Sequence, residues 1–176
     1  MRVISGIAKG TRLETLEGNS TRPTLDRVKE ALFNIIQTNI KEASVLDLFA
    51  GSGALAIEAL SRGAKHAILC DKSNYAIKII KRNLEKTHLE ENAQIINSDY
   101  NKALNSYKDT KFDLIFIDPP YKLDIAVDAI SKIISLDLLE QDGIIVLETD
   151  NKERELEKLK NINVNVYDLR KYGRVT

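Results

Sequence analysis

From residue 44 onward, short apolar runs alternate with amphipathic segments so regularly that few architectures can accommodate the chain. Ser44 to Leu48 reads as a strand, Ala54 to Arg62 as a helix, Ala67 to Cys70 as a strand and Asn74 to Lys86 as a helix. Ala93 to Asn97 predicts another strand, then come a short helix from Tyr100 to Tyr107 and a strand over 112–117. The same rhythm gives a helix from Ile125 to Ile134, a strand from Ile144 to Glu148, a helix from Glu153 to Lys160 and a strand around Asn163 to Leu169. Alternation of this kind implies βαβ units with right-handed crossovers, hence an α/β fold on a mostly parallel sheet. Runs such as Ile144-Ile145-Val146-Leu147 carry no polar residue, as expected of strands covered by helices on both faces.

Ahead of this region, Arg2 to Ser5 and Thr11 to Leu16 are short extended segments around a glycine-containing turn, which predicts a small β-hairpin. Pro23 and Thr24 open a helix expected over 24–40, with Val28, Ala31, Leu32, Ile35 and Ile36 at helical spacing. A length of 176 residues fits a single domain over 1–176, divided into a hairpin extension at 1–20 and a core at 21–176. Charged residues at 30% and hydrophobic ones at 43% describe a soluble globular chain, and 26 acids against 26 bases leave no net charge to attract nucleic acid. Bases do gather at Arg2, Lys9 and Arg12 and again at Arg170, Lys171 and Arg174, where they suit phosphate contacts or an ordinary solvated surface. The lone Cys70 excludes an internal disulfide and a cysteine zinc site, and no metal is expected. No signal peptide or membrane span is evident, so a cytoplasmic location is expected.

The motif richest in chemistry is Asp118-Pro119-Pro120-Tyr121, placed directly after the strand at 112–117. Ligands of open α/β sheets bind beyond the carboxyl ends of strands. Two prolines stop the strand and remove two N–H donors, which leaves a rigid cluster of acceptors beside a flat ring. Such a cluster can accept the hydrogens of an exocyclic amine while the base stacks on the aromatic. Alone, the tetrapeptide reads equally well as a strand-to-loop turn.

A second motif, Val45-Leu46-Asp47-Leu48-Phe49-Ala50-Gly51-Ser52-Gly53, joins a strand to a helix through a glycine-rich turn whose backbone can approach a ligand closely. By itself it also matches a loose dinucleotide fingerprint. Asp47 discriminates, because a carboxylate there repels a pyrophosphate but welcomes the ammonium of a methionine moiety, so S-adenosylmethionine (AdoMet) fits better than NAD. Asp71 ends the next strand, where an acid can accept ribose hydroxyls. Asp99 follows the strand after that, where it can accept from an adenine amine. Helix capping explains each of these acids singly. Together with Asp118 they outline one continuous crevice. His66 and His88 offer neither a triad nor a metal arrangement.

Three segments in order, Thr21 to Asn34, Leu46 to Ala64 and Asp118 to Tyr121, closely resemble the RsmD family, bacterial 16S ribosomal RNA (guanine-N2)-methyltransferases, and the similarity runs from residue 2 to about residue 173. The resemblance implies a Rossmann-like class I methyltransferase fold with a seven-stranded sheet. It also implies AdoMet as cofactor and methyl donor, and ribosomal RNA, within a small-subunit assembly particle, as partner. It places Asp47, Phe49, Gly51 and Gly53 around the methionine part, Asp71 at the ribose and Asp99 at the adenine. Asp118, Pro119 and Tyr121 would hold the target base, and Arg27 would meet the methionine carboxylate. Relatives usually continue past Gly173 with a full edge strand, so the last strand is expected to be truncated. The motifs alone do not separate guanine from adenine or RNA from DNA. A DNA adenine-N6 methyltransferase and a catalytically silent RNA-binding assembly factor therefore stay open, and an NAD-dependent dehydrogenase leaves Asp118 to Tyr121 unexplained.

Overall fold

The sheet follows from a period-two pattern with both faces apolar. In β1 (Ser44–Asp47), β2 (His66–Asp71) and β4 (Phe112–Ile117), residues Val45, Ala67, Leu69, Leu114 and Phe116 point to one core, while Leu46, Ile68, Cys70, Ile115 and Ile117 point to the other. The computed structural model describes residues 1–16, 23–120 and 123–172. With β3 (Ala93–Asn97) and β5 (Leu139–Leu147) the strands lie in the order β3-β2-β1-β4-β5, every pair parallel. The helices are α1 (Pro23–Ile35), α2 (Ala54–Ser61), α3 (Asn74–Thr87), α4 (Tyr100–Ser106), α5 (Ala126–Ser135) and α6 (Lys152–Leu159). Chain order reverses between β1 and β4, and the gap it leaves at their carboxyl ends is where ligands of such sheets bind.

The expected α/β fold on a parallel sheet is what forms, with five strands among the described residues rather than seven. The strand expected at Asn163 to Leu169 joins no ladder, and Tyr167 there is 66% exposed. Asn161, Asn163 and Asn165 interleave with the apolar residues of this stretch, and asparagine is disfavoured in strands. β5 starts earlier than expected, at Leu139, which pairs with Phe112, and after an irregularity between Phe112 and Leu114 the ladder resumes from Ile144 to Leu147. The helix expected over 24–40 ends at Ile35 and tightens into a 3₁₀ turn over Gln37–Asn39, where Thr38 and Asn39 hydrogen-bond each other at 3.1 Å.

The leading segment folds back on itself through one antiparallel bridge, Arg2 to Arg12, supported by Val3 N to Thr11 O at 3.0 Å and Gly10 N to Val3 O at 2.9 Å. It is fastened to α2 by Glu58, whose carboxylate is fully buried. Glu58 accepts from Ile4 N at 2.8 Å and Ser5 N at 3.0 Å, and pairs with Lys29 at 3.1 Å and Arg62 at 2.7 Å. Removing one partner of such a node costs about 3–5 kcal/mol, because it strands the remaining charge. Gly6 crosses the end of α2 with φ at +84°, and a Cβ there would lie 1.7 Å from the Ser61 carbonyl oxygen. Only glycine fits.

Candidate active-site crevice

The carboxyl ends of the five strands open into a crevice of about 670 Å³. Its wall includes Asp47, Phe49, Gly51, Asp71, Asp99, Asp118 and Pro119, so most of the residues singled out in the sequence converge on one space. Met1, Thr15 and Leu16 of the leading segment close one side.

The loop after β1 is shaped by its glycines and by Asp71. Gly51 has φ at +55° and lines the crevice. Its N–H donates to Asp71 Oδ2 at 2.9 Å, and Ser73 N donates to Asp71 Oδ1 at 2.8 Å. One acid thus holds the glycine loop and the start of α3 together, and its remaining lone pairs stay on the crevice side. Gly53 does something else. It precedes α2 with φ at +79° and faces Leu69, Ile57 and Ile80, so its lack of a side chain serves backbone conformation and packing. Asn83, fully buried, donates to the Ser52 carbonyl at 2.8 Å and the Glu14 carbonyl at 2.9 Å, which ties the loop to the leading segment.

At the β3 end, Asp99 caps α4 by accepting from Asn101 N at 3.0 Å and Lys102 N at 3.1 Å, both on Oδ1. The Phe49 and Tyr100 rings stand 5.6 Å apart at 40°, forming an apolar wall beside it. A flat aromatic ligand has a surface to lie on and an acid at its edge.

The opposite end carries three acids that pair with no cation among the described residues. Asp47, 2% exposed, accepts weakly from Ala56 N at 3.4 Å. Burial pushes its pKa up to about 7, with Asp118 and Asp71 adding repulsion against the Ala56 and Phe49 N–H groups. Asp118 is half-buried, and burial pushes it up to about 6. Glu148, just past β5, is pushed up to about 8 by burial and then by the charges of Asp118 and Asp47. The same field, after burial, raises Cys70 to about 12 through Asp71, Asp47 and Asp99. Among the described residues none of Asp47, Asp118 and Glu148 pairs with a Lys or Arg, and no group of acids and histidines has metal-binding geometry. A cationic ligand would relieve this strain.

Sequence reading missed Glu148, which looked like the last residue of an apolar strand. It also missed Tyr100 as a wall residue and, on α1, Val28 and Lys29. Arg27 is exposed and absent from the crevice wall, whereas Val28 and Lys29 line the crevice. Lys29 is itself engaged by Glu58 and by the Arg2 carbonyl at 2.6 Å, and burial lowers its pKa. Tyr121, expected to stack on a base, lies outside the described residues. The Pro120 carbonyl accepts from Leu123 N at 2.9 Å, while that of Pro119 has no backbone donor among the described residues.

The whole chain, residues 1–176, matches the family described as Conserved hypothetical protein 95. The Bacillus subtilis protein YlbH is 46% identical over 154 residues, 86% of this chain and 84% of that protein. A Haemophilus influenzae protein named Ribosomal RNA small subunit methyltransferase D is 36% identical, over 85% of this chain and 79% of that one. Among solved structures, a hypothetical protein of Thermus thermophilus superposes with a TM-score of 0.81 at 27% identity, covering 99% of this chain and 95% of that chain.

Proposed function

Because this chain belongs to the Conserved hypothetical protein 95 family, the RsmD family whose motifs it carries, we propose that it is an AdoMet-dependent RNA methyltransferase acting on the N2 amine of a guanine in small-subunit ribosomal RNA. The observation that carries the chemistry is the acid cluster at the β1, β4 and β5 ends, with Asp47 buried, Asp118 and Glu148 half-buried, and no paired cation among the described residues. It suits a donor bearing a sulfonium and an ammonium and disfavours a pyrophosphate. The RNA acceptor rests on the names of relatives that align over most of the chain.

The residues divide the work by position. Asp47 meets the ammonium, the Gly51 loop approaches the methionine part closely, Asp71 accepts from the ribose hydroxyls, and Asp99 accepts from the adenine amine beside Phe49 and Tyr100. When bound, AdoMet supplies a methyl group on a positively charged sulfur, which departs as a neutral thioether as the new N–C bond forms. An aromatic amine is a poor nucleophile because its lone pair is delocalised into the ring. Asp118 and the Pro119 carbonyl accept its two hydrogens, which favours a pyramidal nitrogen and stabilises the positive charge that develops on it. One of those protons then leaves through Asp118 to water. Orientation and fixed acceptors are sufficient for such a transfer, without a covalent enzyme intermediate. Tyr121, next to the two prolines, is the residue assigned to stacking on the base.

Labelled-methyl transfer to naked ribosomal RNA, small-subunit particles and DNA, followed by mass-spectrometric mapping of the modified nucleoside, tests the assignment. N2-methylguanosine at one nucleotide of the small-subunit RNA is expected. Label on adenine in DNA, or tight RNA binding without any transfer, would replace the proposal.

A further inference from the structure

Nothing in the motifs or in the relatives' names assigns a role to Glu148, yet its placement is specific. Ile117 of β4 pairs with Leu147 of β5, so Asp118 and Glu148 occupy the next position on adjacent parallel strands, and Glu148 N donates to the Ile117 carbonyl at 3.0 Å. The two acids thus leave the sheet side by side into the same crevice. Unlike Asp71 and Asp99, Glu148 accepts no hydrogen bond through its side chain and forms no ion pair among the described residues. Glu148 is half-buried, with Asp118 and Asp47 as its charged neighbours.

Strand order says what this acid faces. β1, which carries Asp47 and the glycine loop, lies on one side of β4, and β5 lies on the other. A methyl donor reaching from Asp99 beyond β3 across Asp71 of β2 to Asp47 of β1 leaves the β4–β5 side for the acceptor. We infer that Glu148 is the residue that selects the acceptor base, by taking the ring N1–H beside the amine that Asp118 receives. This rests on the methyltransferase reading above.

The selection follows from the edges of the bases. Guanine presents N1–H and the N2 amine as adjacent donors, which favour the ionised form of the two neighbouring carboxyl groups, and once ionised these offer only acceptors. Adenine presents an unprotonated N1 beside its amine, so its ring lone pair would point at a carboxylate. A site built to hydrogen-bond a substrate N–H rejects the analogue that lacks it by large factors, because the buried acceptor is left without a donor. The inference therefore separates guanine from adenine by a named side chain, which the Asp118 to Tyr121 motif alone does not do.

The test uses small-subunit RNA carrying either guanine or 2-aminopurine at the mapped nucleotide, introduced by splinted ligation. 2-Aminopurine keeps the exocyclic 2-amine but has no N1–H. The unaltered protein is expected to prefer guanine by about 100-fold or more in kcat/KM. In Glu148→Gln the amide can donate to an unprotonated N1, so the preference should collapse to within about fivefold through a lower rate on guanine and a higher one on 2-aminopurine. Glu148→Asp, which retains an acid, should be slower on both but still discriminate. AdoMet affinity by calorimetry should stay within about threefold in both variants, which separates the effect from misfolding. Proportional loss on both RNAs in Glu148→Gln, or equal use of both by the unaltered protein, would overturn the role of Glu148. No transfer even to the guanine RNA would instead remove the methyltransferase reading and the inference with it.

Discussion

The two ends of the crevice are built on opposite principles. At the β2 and β3 ends the acids are already employed: Asp71 holds Gly51 and Ser73, and Asp99 caps α4. At the β1, β4 and β5 ends, the buried Asp47 stands beside the half-buried Asp118 and Glu148 with little to receive them among the described residues, and all three hold their protons more tightly than an ordinary carboxylate. The first end is rigid before any ligand arrives. The second stores repulsion that a cation and a set of N–H donors can release, which is what a methyl-transfer centre requires of its surroundings. Stability and chemistry are therefore assigned to different ends of one sheet edge.

Substitutions can break that contrast. The largest effect is expected from Asp118→Ala, which should lower transfer by about 1,000-fold while AdoMet affinity changes less than about threefold; equal losses in binding and turnover would show that Asp118 serves the donor rather than the acceptor. Asp47→Asn should weaken AdoMet and yet stabilise the free protein. Folded Asp47 holds its proton up to about pH 7 against 3.8 for the reference carboxyl, so the native state binds more protons and stability falls as pH rises from about 4 to 7. That interval corresponds to roughly 4 kcal/mol at most. Thermal unfolding of Asp47→Asn should accordingly occur higher than that of the unaltered protein at pH 8 and coincide with it near pH 4; a lower midpoint at pH 8 would contradict the stored repulsion.

At the other end the signs reverse. Asp71→Ala removes the acceptor of two backbone N–H groups, so it should lower the thermal midpoint and weaken AdoMet about 10- to 100-fold by calorimetry. Gain of stability there would erase the distinction between the two ends. The smallest effect should come from Asp99→Asn, because asparagine caps a helix about as well as aspartate. A loss of AdoMet affinity below about fivefold with an unchanged melting point is expected, and a larger loss would give the Asp99 charge a role beyond capping and one hydrogen bond.

The residues differ in how plainly the sequence announced them. The sheet was legible because its strands are apolar on both faces, a pattern that local composition records. Asp47, Asp71 and Asp118 were legible because each stands at the junction of a strand and a loop of distinctive composition. Glu148 was not, since Leu147-Glu148-Thr149 looks like any strand end; its meaning depends on β5 lying beside β4, a non-local fact. Val28 and Lys29 escaped notice for a related reason. Helical spacing places Arg27, Val28 and Lys29 on consecutive directions around α1, and only packing against the sheet decides which of them turns inward. The unformed strand at 163–169 shows the limit of propensity, because its valines and leucine carried the pattern while its asparagines weakened the ladder.

The Glu58 node has a consequence for how the molecule comes together. Its charge is met by Lys29 on α1 and Arg62 after α2, but its hydrogen bonds are complete only when Ile4 and Ser5 have returned to a helix more than fifty positions downstream. Met1, Thr15 and Leu16 reach the ligand's side of the molecule by the same closure. The opening residues thus act as a keystone: with them absent, Glu58 would lose two of its donors and the pocket would lose a wall in a single event.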